Sequence, residues 1–191
     1  MTTSPKDLRQ LHVLGIAGSL RQAPHNRALL RAAQEAAPEG TEFAFLDLPP
    51  IPLYHADVEA QADPEPVAAL KAAIHKADAP LLATLEYNRS LPGVLKNALD
   101  WVSRLRGQSP LDGKPVAITG APTGSFGTAT AQSHLRLVCA ATNMLTLNRP
   151  EVLVPRAHEK FHAEGRLVDE RTRERLERLL QALREWVPRL G

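Results

Sequence analysis

The chain has 191 residues, 43% of them hydrophobic and 23% charged, with a formal net charge of +2; that size and balance suit one domain with a sizeable core and argue against general disorder. The charges are scattered, so no basic block marks a nucleic-acid or membrane surface, and 21 acidic residues are too few for a highly charged electron-carrier face. A single cysteine, Cys139, excludes an intrachain disulfide, and aromatics at 4% leave any flat ligand dependent on backbone and a few chosen side chains.

Residues 1–10 are polar and carry no apolar signal-peptide core, so they read as a flexible N-terminus ahead of one domain over residues 11–191. Residues 11–17, LHVLGIA, are β-rich and end at Gly18, as a buried strand does. Residues 26–37 place Leu29, Leu30 and Ala33 on one helical face, and Pro38 and Gly40 stop the helix. Residues 41–47 alternate apolar and polar as a second strand would. The Pro- and Asp-rich stretch 49–66 is a loop long enough to carry function.

Residues 66–76 are helical by composition, 79–85 form an apolar third strand, and 92–105 form a helix with proline in its first turn. A fourth strand over 115–119 leads through a glycine-containing loop, 120–127, into a helix over 128–141 that holds Cys139 as a small buried hydrophobe. Residues 144–147 and 151–154 are β-like. A long amphipathic helix over 169–187 turns Leu176, Leu179, Leu180 and Leu183 inward. No run of about 18 apolar residues suggests a membrane span, so a cytoplasmic protein is expected. The seven histidines are dispersed without metal-ligand spacing, and no metal is expected.

Strands alternating with helices imply an α/β domain, a parallel sheet covered on both faces. Ligands in such folds sit beyond the carboxyl ends of the strands. Three loops reach that edge. The first, Gly18 to Asn26, suits a phosphate: helix N–H groups, Ser19 and Asn26 can donate, and Arg21 adds charge. An ordinary helix cap would use the same residues. The spacing is neither a dinucleotide fingerprint nor a Walker loop. The second loop, 84–93, sets polar residues at the end of a buried strand, where an aromatic beside amides can hold a flat heterocycle; a surface turn is the plain alternative. The third, 120–127, has small residues that let backbone approach a planar ligand, or it is simply a connection. Together they supply phosphate donors and a slot for a ring system.

Gly18, Ser19, Arg21 and Asn26, followed by Glu86-Tyr87-Asn88 and the stretch 92–101 (PGVLKNALDW), resemble the NADPH-dependent FMN reductase family, which includes bacterial quinone, chromate and azo-dye reductases. The likeness runs from about Leu11 to Val187. Pro24 stands where relatives usually have serine, Leu85 replaces a common proline, and Thr130 stands where some relatives carry an arginine used between subunits.

The resemblance implies a flavodoxin-like three-layer sandwich: a five-stranded parallel sheet in the order 2-1-3-4-5 with helices on both faces. It implies FMN as cofactor and NADPH or NADH as donor. Ser19, Arg21, His25 and Asn26 would surround the phosphate. Leu85, Glu86, Tyr87 and Asn88 would line one edge of the isoalloxazine, and Thr123, Gly124, Ser125, Phe126 and Gly127 another. Glu86 would hold its loop or pair with a neighbouring subunit. The helix 92–105, with Trp101, would be a subunit contact in a homodimer or homotetramer, or else pack in the core.

Hydride would pass from nicotinamide to flavin N5, then in a second, ping-pong half-reaction to a small-molecule acceptor such as a quinone, an azo compound or an oxidised metal ion. No protein nucleophile is needed, because the hard chemistry belongs to the cofactor. The other classes this sequence admits are a flavodoxin-type electron carrier, against which the slightly basic charge weighs, and an FMN-binding regulatory protein. If Arg21 meets the phosphate, Arg21→Ala weakens FMN binding by about 1–3 kcal/mol. Titration of apoprotein checks this, and equal affinity in wild type and variant removes Arg21 from the site.

Overall fold

The computed structural model describes residues 9–18, 25–48, 50–104 and 108–190. At its centre lie β1 (Leu11–Ala17) and β3 (Ala79–Ala83), paired in parallel with each other. All five β3 residues are buried, the mark of a strand covered on both faces. Removing Leu81 and Leu82 from water stabilises the fold by about 1.5–3 kcal/mol each. β2 (Thr41–Asp47) pairs with β1 at one edge and stays partly exposed along its length. On the other side β4 (Pro115–Gly120) pairs with β3, and the order 2-1-3-4-5 is as expected.

At the far edge the described residues add a sixth, short strand to the expected five. β5 (Leu145–Thr146) pairs with Pro115 and Val116, whereas β6 (Val152–Leu153) pairs with Thr119 and Gly120, so two short strands share the outer side of β4. Between them lies Pro150, preceded by a cis peptide bond. Proline has no N–H to continue the ladder.

Helices cover both faces. On one, α1 (His25–Glu35) and α6 (Glu170–Trp186) pack Leu29, Leu30, Leu176, Leu180 and Leu183 against the sheet. Asp169 caps α6 by accepting from the Thr172 N–H at 2.9 Å. On the other face, α3 (Glu65–Lys76), α4 (Gly93–Val102) and α5 (Ala129–Ala141) enclose a second core that includes Leu70, Ile74, Leu95, Leu99 and Cys139. Burial pushes the Cys139 thiol up to about 12.

The long loop holds one helical turn, α2 (Ala56–Glu59), and is strapped to α4. The Trp101 indole N–H donates to the Pro52 carbonyl at 2.8 Å, Asn97 Nδ2 donates to the same carbonyl at 2.9 Å, and Asn97 Oδ1 accepts from the Tyr54 N–H at 2.8 Å. Tyr54 stands edge-on to the Trp101 ring, with centroids 5.1 Å apart. Trp101 is therefore 0% exposed within a single chain. The expectation that it anchors a subunit contact is corrected: a buried indole needs an acceptor, and the proline-rich loop provides it from the same chain.

Gly120 ends β4 where the sheet meets the third loop. A Cβ there would collide with the Thr84 carbonyl oxygen and come within 2.5 Å of Thr128 Oγ1. Gly120→Ala lowers stability by about 1–3 kcal/mol, read as a lower urea midpoint. A wild-type midpoint would show that these backbones can part.

Candidate functional site

A cavity of about 290 Å³ opens at the carboxyl ends of β1, β3 and β4. The start of α1 gives it His25 and Asn26; the loop after β3 gives Leu85, Glu86 and Tyr87; the loop after β4 gives Thr123, Gly124, Phe126 and Gly127. Nine of the thirteen expected site residues thus line one space. Asn88 and Ser125 are exposed and do not line it. Ser19 and Arg21 lie outside the described residues. Ala17, Ala121, Pro122 and Thr128 also line the cavity; they were missed because small or apolar residues at strand ends carry no chemical signal in a sequence.

Asn26, in the first turn of α1, ties that helix to the ends of β3 and β4. Its Nδ2 donates to the Ala83 carbonyl at 3.1 Å and its Oδ1 accepts from the Ala121 N–H at 2.9 Å, with the side chain 5% exposed. The expected phosphate donor is thus committed to two backbone groups. Gly18 completes the seam by donating its N–H to the same Ala83 carbonyl at 2.9 Å.

Glu86 fastens the second loop to the third. Its Oε2 accepts from the N–H groups of Thr130 and Ala131, both at 3.1 Å. Thr128, at the N-cap of α5, has φ 67° and makes no side-chain cap bond. A carboxylate 42 to 45 residues away therefore caps this helix, favoured by the positive end of the helix dipole. The expectation that Glu86 holds its loop is met within one chain.

Beyond Glu86 the chain makes a tight hairpin. Tyr87 and Ser90 exchange backbone hydrogen bonds at 3.0 and 2.9 Å. The two central residues, Asn88 and Arg89, both have positive φ, 49° and 64°. That turn favours Asn followed by Gly. Asn88 fits that turn. Arg89 stands in the glycine position, where a side chain costs about 1–2 kcal/mol. The Ser90 hydroxyl meets His134 Nδ1 on α5 at 3.1 Å, and the Arg89 guanidinium lies 4.5 Å over the centre of the Phe126 ring.

The third loop is held from below. The Arg156 and Ala157 N–H groups donate to the carbonyls of Gly124 and Pro122, each at 2.9 Å. Gly127 has φ 64° and sits against Leu153 and Pro155. Among the described residues no acceptor takes the N–H groups of Thr123 and Gly124, and a Cβ on Gly124 would meet nothing within 4 Å. Free backbone donors beside an open slot suit the carbonyl-rich edge of a planar heterocycle.

At the opposite wall, burial and then the neighbouring His158 lower the pKa of His25. His25 meets a ligand at neutral pH as a neutral imidazole rather than a cation. Among the described residues no group of His, Cys, Asp or Glu is placed to hold a metal ion.

Residues 11–159 match the family model described as NADPH-dependent FMN reductase. The chain is 48% identical over 180 residues to an NAD(P)H-dependent FMN reductase of Pseudomonas aeruginosa, covering 94% of this chain and 97% of that protein. It is 44% identical over 177 residues to a 2-hydroxy-1,4-benzoquinone reductase of a Burkholderia species, covering 93% and 96%. Among solved structures it resembles a flavoenzyme NAD(P)H:(acceptor) oxidoreductase of Paracoccus denitrificans, with TM-score 0.85 and 36% identity over 95% of this chain and 99% of that one.

Asn26→Ala leaves the Ala83 carbonyl and the Ala121 N–H without their partner, at about 1–3 kcal/mol for each buried group left unsatisfied. Urea unfolding should show that loss together with weaker ligand binding, since the cavity walls are no longer tied. Unchanged stability would mean that water replaces the amide at no cost.

Proposed function

The chain belongs to the NADPH-dependent FMN reductase family, and on that premise we propose that it binds FMN in the cavity between the three loops and reduces quinones there at the expense of NADPH. It is an NAD(P)H-dependent oxidoreductase. The observation that carries the binding proposal is the slot itself: two walls tied to each other through Glu86, with the Thr123 and Gly124 N–H groups open to a ligand.

In this reading Ser19, Arg21 and His25 surround the phosphate. Leu85, Glu86 and Tyr87 flank one edge of the ring system, and Thr123, Gly124, Phe126 and Gly127 flank the other. Asn26 and Asn88 shape the site through the backbone. When bound, FMN supplies two-electron hydride chemistry at its N5. The protein's own part is to fix the ring against the sheet edge, to aim N–H donors at the side where negative charge grows on reduction, and to keep one ring face open.

The overall change is NADPH, one proton and a quinone giving NADP⁺ and a hydroquinone. Donor and acceptor use the same open face in turn, which makes the scheme ping-pong. A second copy docked on the outer side of α4 would cover an edge of the flavin and leave that face open, giving a homodimer or homotetramer in which Trp101 takes no part. The cytoplasm, with its NADPH, is the proposed setting.

The test is an anaerobic titration of the FMN-loaded protein with NADPH. Stoichiometric bleaching of the flavin bands, followed by their return on adding a quinone, is expected. FMN rather than FAD should be released on denaturation. A flavin that NADPH leaves coloured would turn the assignment toward a carrier, and released FAD would contradict the terminal-phosphate site.

A further inference from the structure

At the mouth of the cavity stand two exposed aromatic rings, Tyr87 at 47% and Phe126 at 63% exposure. The whole chain has four Phe, two Tyr and two Trp, so a quarter of its aromatic residues border this opening, and both leave apolar ring surface in water. Over one of them lies Arg89, whose guanidinium carbon is 4.5 Å from the Phe126 centroid. No carboxylate among the described residues forms an ion pair with Arg89. The nearest acid along the chain, Glu86, is turned inward onto the N–H groups of Thr130 and Ala131. Among the described residues the mouth therefore presents planar apolar surface beside the positive charge of Arg89, which no carboxylate pairs.

The backbone makes that placement deliberate. Arg89 has φ 64° in a two-residue turn whose second position favours glycine. Strain of this kind gathers where function holds it. The fastening of the hairpin does not need Arg89, because Glu86 and Ser90 already tie it to α5.

We propose that Arg89, braced on Phe126, selects planar electron acceptors that carry a negative charge, such as hydroxyquinones ionised at neutral pH or quinones bearing a sulfonate group. The inference rests on the reductase reading of the same cavity. The ring of the acceptor lies against Tyr87 and Phe126, and its anionic substituent faces the guanidinium at the rim, where Coulomb attraction falls with salt. The redox step is unchanged: the acceptor takes a hydride from the reduced cofactor and a proton from solvent as a neutral quinone does, and Arg89 neither gives nor takes a proton.

The experiment compares a naphthoquinone sulfonate with the parent naphthoquinone, using FMN-loaded wild type, Arg89→Gly and Arg89→Lys. Arg89→Gly removes the charge and relieves the turn, so its thermal midpoint stays at or above wild type. The ratio of kcat/KM for the sulfonate to that for the parent should fall about tenfold in Arg89→Gly, expressed mainly in KM. Arg89→Lys should recover part of it, and raising the salt should shrink the wild-type ratio toward that of Arg89→Gly. Calorimetry with redox-inert naphthalene sulfonate reads the same preference without turnover, so a failure of the reductase reading and a failure of this one are told apart. A ratio and a sulfonate affinity within twofold of wild type in Arg89→Gly would overturn the proposal and leave Arg89 as a loop staple.

Discussion

The Asn26 amide takes the Ala83 carbonyl and the Ala121 N–H at the same time, and so fixes the first turn of α1 against the ends of β3 and β4. Three segments that are far apart along the chain acquire one common reference point. Both bonds are buried, so neither partner can turn to water without a cost comparable to a large share of a domain's net stability. The position of every cavity wall follows from that contact. Leu85 and Glu86 leave β3 just beyond Ala83, Pro122 and Thr123 leave β4 just beyond Ala121, and His25 precedes Asn26.

Above this seam the walls are joined again through Glu86 and the N-terminus of α5. Capping usually comes from a neighbour in sequence. Here the cap residue Thr128 is held in a left-handed conformation after a left-handed Gly127, and its hydroxyl turns to the Gly127 carbonyl at 2.5 Å. The carboxylate from the other wall takes over. Helix order and cavity width become one property: α5 is fully capped only when the two walls stand at their working separation. Strained backbone is gathered here too, since Asn88, Arg89 and Thr128 account for three of the five non-glycine residues with positive φ among the described residues.

Much of this was legible in the sequence, because period and punctuation survive folding. The four main strands and the helices α1 and α3 to α6 fall within a few residues of where apolar runs, prolines and glycines put them, whereas the turn of α2 lies in a stretch that reads as loop. The split fifth strand was visible only as two β-like patches, since nothing local says that both will pair with β4. For the site, the three loops were found because a parallel α/β sheet dictates where ligands go. The roles of single residues were harder to read. Asn26 looks like a donor to a ligand until the positions of residues 83 and 121 are known. Trp101 looks like an interface anchor until the proline-rich loop is seen closing over it. Arg89 drew no notice, because its meaning depends on a ring 37 positions away. Long-range partners decide all three, and composition does not encode them.

The lone thiol has a bearing on how such a protein endures its own chemistry. Quinones are electrophiles that arylate thiolates by conjugate addition, and their turnover sheds reactive oxygen. Cys139 lies fully buried in α5, and burial pushes its pKa up to about 12, so at neutral pH the nucleophilic thiolate is suppressed. The chain has no other cysteine. With the proposed quinone acceptors, a chain built this way presents no exposed thiol to alkylate, and Cys139 is reached only when the α5 core opens.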